Sequence, residues 1–133
     1  MSKRFWVSVA VTFVLMLGFG FVVHGLLLAG DYGQFPGLFR TAADQQKHFP
    51  FMLIAHAIAA FAFVWVYFRG KEAKPFLGQG VRYGLAVAGL MIIPKFLIYF
   101  AVQPLPHMIA LKQICFDMIS VVVMGIVVAR LNK

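Results

Sequence analysis

Six polar side chains lie within or beside strongly apolar runs and could carry chemistry: His24, His56, Lys95, Tyr99, Gln113 and Asp117. An imidazole changes charge near neutral pH and can ligate a metal or a b-type haem. Lys95 follows Pro94 directly, which sets a full cation inside "IIPKFLIYFAVQPLP". Asp117 is the one carboxylate deep within an apolar run. A lone charge at the centre of a bilayer costs about 3 kcal/mol or more, and a paired one costs less.

Depth and face bring these residues together. At about 1.5 Å of rise per residue, His24, His56, Tyr99 and Lys112 fall roughly 7–8 Å from one end of their helices. Lys95 and Asp117 fall deeper, at about 10–14 Å. At about 100° per residue, Gly84, Ala88, Lys95 and Tyr99 share one face of a helix. Gln113, Asp117, Ser120 and Met124 share a face of another, and Met52, His56, Ala59, Phe63 and Tyr67 of a third. The expectation is a Lys95–Asp117 ion pair, at the floor of a pocket lined also by His24, His56, Tyr99 and Gln113. Lys112 points away from that face and is expected to reach the interface. Pro94 removes one helical hydrogen bond and pushes against the carbonyl of Leu90, which predicts a kink.

Other chemistries find little support. No serine or cysteine stands near a base at a recognisable spacing, and there is no paired-carboxylate set. An enzyme is therefore not expected. "GQGVRYG" opens an apolar helix and does not follow a strand, so it is no nucleotide fingerprint. Its Gly80 and Gly84 suit close helix packing. Cys115 is the only cysteine, so no intrachain disulfide forms, and it is expected to be a small buried hydrophobe. No cofactor is expected, the alternative being a haem b or a metal held by His24 and His56.

The elements that must position these groups follow from composition. The chain has 133 residues, 62% of them hydrophobic and 12% charged. Soluble domains carry about 25% charge. So much apolar surface cannot hide in one small core, and the predicted solvent is lipid. Four stretches are long enough to cross a bilayer: 5–29, 51–68, 81–102 and 108–129. The fold class is all-α, a single integral membrane domain over 1–133, with an outer loop at 30–50 and a cytoplasmic loop at 69–80. Lys3 and Arg4 precede a run too long for a cleaved leader, so the first span reads as a retained signal anchor. In the outer loop, Thr41 is placed to cap a short helix ending near Gln46, and Tyr32, Phe35 and Phe39 suit the headgroup zone. The short "QPLP" link makes the last two spans antiparallel neighbours.

Lys3, Arg4, Arg69, Lys71, Lys74, Arg82, Arg130 and Lys133 fall on one side, and only Arg40 and Lys47 on the other. That asymmetry predicts both termini in the cytoplasm. It also accounts for the net charge of +8 without a nucleic-acid partner. The expected partners are the bilayer and either further copies of the chain or a larger membrane complex.

"GFVVHGLLL", "FPFMLIAH", and "LIYFAVQPLP" leading to "KQICFD" resemble a family of small four-helix bacterial inner-membrane proteins of unknown function. The likeness spans nearly the whole chain and implies a location in the inner membrane, but no activity. There is no glutamate in the first span, as small multidrug exporters have, and no cysteine pair, as thiol oxidases have. The leading expectation is a membrane protein with an outward-facing polar pocket that binds or carries a small polar or anionic ligand. The alternatives are an accessory subunit of a larger complex and a haem- or quinone-binding redox protein using His24 and His56.

Overall fold

The computed structural model describes residues 1–133, and the chain is helical throughout with no strand. Four helical stretches are long and apolar enough to cross a membrane: Lys3–Leu27, Pro36–Gly70, Phe76–Val102 and His107–Leu131. By length and composition they are candidate spans of a multi-pass membrane protein. Burial agrees. Only 24 of 133 residues are buried, so most apolar side chains face outward, as they would toward lipid.

The first span is α1 (Lys3–Gly20), running on into a wide π-helical turn at Phe21–Leu27. Ser2 caps α1, its hydroxyl accepting from the Phe5 N–H at 3.2 Å. A short α2 (Ala29–Gly33) follows. The second span is α3 (Ala42–Gly70), and α4 (Phe76–Val87) begins the third. A second π-helical turn at Ala88–Ile92 leads into α5 (Ile93–Val102), and α6 (His107–Leu131) completes the bundle. An Arg4 guanidinium nitrogen lies 3.5 Å from the Lys133 carbonyl, so both termini share one end, here the terminal end. The other end, where α5 turns into α6, is the distal end.

Three boundaries differ from the sequence expectation. Thr41 does cap a helix, with its hydroxyl 3.3 Å from the Asp44 N–H. That helix does not stop near Gln46, and the second span does not start afresh at Phe51. One helix of 29 residues passes through Pro50 without a break. It is about 43 Å long, more than the roughly 30 Å of a bilayer's hydrocarbon core, and its first turns are polar. The third span starts at Phe76 instead of Val81, which cuts the link to five residues, 71–75. Gln79 braces that link by donating to the Tyr67 hydroxyl at 3.0 Å and accepting from the Glu72 N–H. Cys115 is exposed on the apolar surface, not buried.

The core sits in the terminal half. Phe5, Phe63, Val64 and Tyr67 meet Ala88, Val121, Met124 and Val128 there. The tightest contact is glycine against backbone. A Cβ on Gly80 would lie 2.5 Å from the Ile126 Cα, and one on Gly84 would lie 2.5 Å from the Val122 Cα. Gly125 presses back, its own hypothetical Cβ 2.5 Å from the Gly80 carbonyl oxygen. Helices in lipid gain from such close approach because dispersion contacts replace the hydrophobic drive.

Candidate functional site

The two π-helical turns decide which side chains meet. A π turn holds one residue more than an α turn and rotates everything beyond it by about 100°. The second lies just ahead of Pro94, whose nitrogen cannot donate, and the Ile93 N–H reaches back to the Ala88 carbonyl. In a straight helix Gly84, Ala88 and Lys95 would share a face. Here Phe96, only 4% exposed, takes the inward place. Lys95 is turned aside, with its ammonium 4.2 Å above the Phe96 ring. The expected kink is therefore a widened turn, and it changes the facing residue.

The same device operates in the first span. The Leu28 N–H closes the wide turn on the Val23 carbonyl at 2.9 Å, and α2 continues from it. His24 and Tyr32 come onto one side, rings nearly parallel with centroids 6.0 Å apart. His24 Nδ1 is 2.6 Å from the Tyr32 hydroxyl, and Nε2 is 3.1 Å from each oxygen of Asp117. The Gln113 amide nitrogen donates to the Tyr32 hydroxyl at 3.1 Å.

The hydrogen positions follow from chemistry. A carboxylate only accepts, so His24 Nε2 carries its proton toward Asp117. In the neutral ring Nδ1 then accepts, and Tyr32 donates to it. Tyr32 in turn accepts from Gln113. The chain runs one way, Gln113 to Tyr32 to His24 to Asp117. Its loose end is the Gln113 carbonyl oxygen, which is buried and has no partner. Burial holds the Tyr32 phenol above its ordinary pKa, against the Gln113 hydrogen bond, and the nearby charges of Asp117 and Asp31 push the same way as burial. Lys112 fixes α2 to α6 through Asp31, at 3.0 Å from both carboxylate oxygens.

These groups border a pocket of about 400 Å³ at the distal end. His24, Tyr32, Lys95, Tyr99, Gln103 and Gln113 supply its polar wall. Leu38, Phe39, Phe96 and Leu105 supply the apolar one. Of the six residues singled out from the sequence, His24, Lys95, Tyr99 and Gln113 line this one pocket. Asp117 stands behind His24. His56 is elsewhere, bonded through Nδ1 to the Met52 carbonyl at 2.7 Å and lying against Gly20.

The expected Lys95–Asp117 ion pair does not form. Asp117 pairs with His24, and Lys95 enters none of the ion pairs of the chain. Lys112 is not a free interfacial cation either, since it holds Asp31. Both ring nitrogens of His24 are engaged by protein partners, so a haem or metal at His24 would have to displace Tyr32 or Asp117. No group of three or more His, Cys, Asp or Glu side chains is placed to hold a metal.

Tyr32 and Asp31 were missed as site residues. Their signal is spacing. His24, Leu28 and Tyr32 recur every four residues, which is one helix face if the helix runs past its apolar run.

A larger hollow of about 650 Å³ opens at the terminal end, among Lys71, Lys74, Gln79, Asn132 and Lys133. One of its three lysines is paired with a carboxylate, and Lys71 and Lys133 enter no ion pair. Glu72 pairs with Lys74 and lies 3.6 Å from Arg82, and the Lys74 contact holds the Glu72 carboxyl below the usual carboxylate range. Comparison with known protein families, with curated proteins and with solved structures finds no match for this chain.

Proposed function

We propose that this chain is a multi-pass protein of the bacterial inner membrane whose distal pocket faces outward and binds a small anion with an apolar body. Orientation rests on charge. The terminal end carries eight lysines and arginines, from Lys3 to Lys133, and the distal loops carry Arg40 and Lys47. The positive-inside rule then puts both termini in the cytoplasm.

One observation carries the ligand reading: Lys95 is a cation in the wall of a part-aromatic pocket with no carboxylate partner. Ionisable groups at membrane depth are usually paired, and the missing partner here is an anion. The pocket volume of about 400 Å³ falls in the range of small-molecule sites. Leu38, Phe39, Phe96 and Leu105 favour a carboxylate with an aromatic or branched aliphatic body over a bare inorganic ion. In the terminal half the glycines of α4 and α6 bring those two helices backbone to backbone. Binding is the primary activity, and carriage across the membrane would need those helices to part.

The test is calorimetric titration of the purified chain in detergent with benzoate, a small aromatic carboxylate. The expected result is saturable binding that Lys95→Met weakens about tenfold or more, the size of one charge-assisted contact. Absence of saturable binding by benzoate and by a branched aliphatic carboxylate would sink the reading.

A further inference from the structure

We infer that the hollow at the terminal end binds a phosphate group of net negative charge, carried by a lipid headgroup or by a soluble phosphate ester. The site is separate from the distal pocket and does not depend on what that pocket binds. Its walls are the link 71–75, the start of α4, and the end of α6 with the residues beyond it. Lys71, Lys74 and Lys133 are the cations of those walls, and Glu72 is the one acidic side chain. Glu72 is already committed. It pairs with Lys74 and has an Arg82 guanidinium nitrogen at 3.6 Å. Lys71 and Lys133 line the hollow with no acidic partner.

The neighbouring groups leave that charge unanswered. Gln79 donates to the Tyr67 hydroxyl at 3.0 Å and accepts from the Glu72 N–H, so it braces the link. The Asn132 amide nitrogen donates to the Ser8 hydroxyl and to the Val128 carbonyl, each at 2.8 Å. Arg4 turns to the main-chain end of Lys133, 3.5 Å from its carbonyl oxygen, and leaves the lysine ammonium groups free. Helix α4 begins at the same hollow with no side-chain cap and no acidic residue in its first turn. Its first N–H groups add a partial positive charge to the full charges of the lysines.

Position and shape point to phosphate. Helix α3 ends at Gly70, α4 starts at Phe76 and α6 ends at Leu131, so the hollow lies level with the ends of three candidate spans. Basic pockets between spans at that level hold lipid phosphates. Cations laid over aromatic rings mark the same level: Arg69 over Trp65 at 5.0 Å, Lys71 over Phe68 at 5.1 Å and Arg130 over Phe76 at 5.2 Å. Aromatic and basic side chains gather in this way at membrane interfaces. Lysine meets phosphate as a point charge, from any side. Three ammonium groups around a hollow of about 650 Å³ therefore suit a tetrahedral anion, whose oxygens point apart, better than a flat carboxylate. Ala73, Pro75, Phe76 and Ala129 supply an apolar wall beside them for the carbon skeleton that the phosphate carries.

The test is calorimetric titration of the full chain, in a non-ionic detergent, with dihexanoyl phosphatidylglycerol, dihexanoyl phosphatidylcholine and glycerol 3-phosphate. Phosphatidylglycerol should bind saturably and about tenfold or more tighter than phosphatidylcholine, whose headgroup has no net charge. Lys71→Gln combined with Lys133→Gln should weaken it about tenfold or more. Lys3→Gln combined with Arg69→Gln removes the same charge from the same end but outside the hollow, and should weaken it by about twofold or less. Glycerol 3-phosphate binding as tightly as phosphatidylglycerol supports the site with a soluble ester as its ligand, and clearly weaker binding supports it with a lipid. No saturable binding by any of the three overturns the inference, and so does phosphatidylcholine binding as tightly as phosphatidylglycerol. Wild-type affinity in the Lys71 and Lys133 double variant overturns it as well. An equal loss in both double variants would assign the attraction to the charge of the whole end and would also overturn the site.

Discussion

The terminal and distal halves of this bundle solve the packing of the same helices in opposite ways. In the terminal half, Gly80, Gly84 and Gly125 let α4 and α6 touch backbone to backbone. The polar groups there are turned to structure. Ser8 donates to the Arg4 carbonyl at 2.8 Å, and Asn132 donates to the Ser8 hydroxyl at 2.8 Å. In the distal half, two π turns widen the helices, and His24, Tyr32, Gln113 and Asp117 fill the space between them with one hydrogen-bonded chain. The lesson is that helical register, more than residue type, separates a seal from a site. Both halves are apolar in composition. What differs is whether small residues recur in phase on facing helices or an inserted residue throws the phase off.

The largest expected effect attacks the seal. Gly84→Leu forces a side chain into the Val122 backbone and should destabilise the protein by about 3 kcal/mol. Gly18, with no atom within 4 Å of a built Cβ, is the contrast. Gly18→Ala should stabilise by up to about 1 kcal/mol, because alanine has less backbone freedom to lose in a helix. Unfolding of both variants in detergent measures the difference. A Gly84→Leu protein as stable as wild type would mean that α4 and α6 are not in backbone contact.

A smaller effect separates the two deep charges. Asp117→Leu leaves His24 without its acceptor and should cost about 2 kcal/mol. Lys95→Met removes a cation that no carboxylate holds and should stabilise, by up to about 2 kcal/mol, because an unpaired charge among apolar groups is costly. The double variant should then show the sum of the two, within about 0.5 kcal/mol. Strong coupling, with Lys95→Met stabilising the Asp117→Leu protein but not the wild type, would restore the ion pair that depth and spacing suggested and would break the contrast drawn here.

That suggestion shows where legibility ends. Four spans followed from runs of apolar residues, and the Gly80–Gly84 contact followed from small residues one turn apart. His24 was gathered by depth, Lys95 and Tyr99 by depth and face, and Gln113 by its face beside Asp117, and depth survives a small change in helical winding. Facing does not. One extra residue in the Ala88–Ile92 turn puts Phe96 where Lys95 was expected and frees Asp117 for His24. Cys115 fell on the exposed side for a related reason, since an apolar run alone does not say which of its faces is inward. Tyr32 escaped because it lies past the end of the apolar run, where polarity and glycine read as loop. Pro50 likewise read as a boundary, although the helix absorbs it.

The smallest effect tests whether the distal half can open while the seal holds. Tyr32 has its pKa raised, chiefly by burial, so the folded chain keeps this proton more firmly than the unfolded chain does. A phenol raised in this way contributes stability that is complete below its unfolded value, near pH 10, and is lost as pH climbs beyond it. Above about pH 10 the wild type should therefore lose thermal stability faster than Tyr32→Phe, which has no phenol to ionise. The phenolate would face the carboxylates of Asp117 and Asp31, which also oppose its ionisation. Opening should begin at α2, where Tyr32 and the Asp31–Lys112 pair are anchored, and leave α4 against α6 intact. Amide hydrogen exchange would show this as faster exchange in Ala29–Gly33 at alkaline pH, relative to the same segment in Tyr32→Phe. Equal acceleration in α4 and α6 would mean that the two halves unfold as one unit and that the boundary between seal and site has no energetic counterpart.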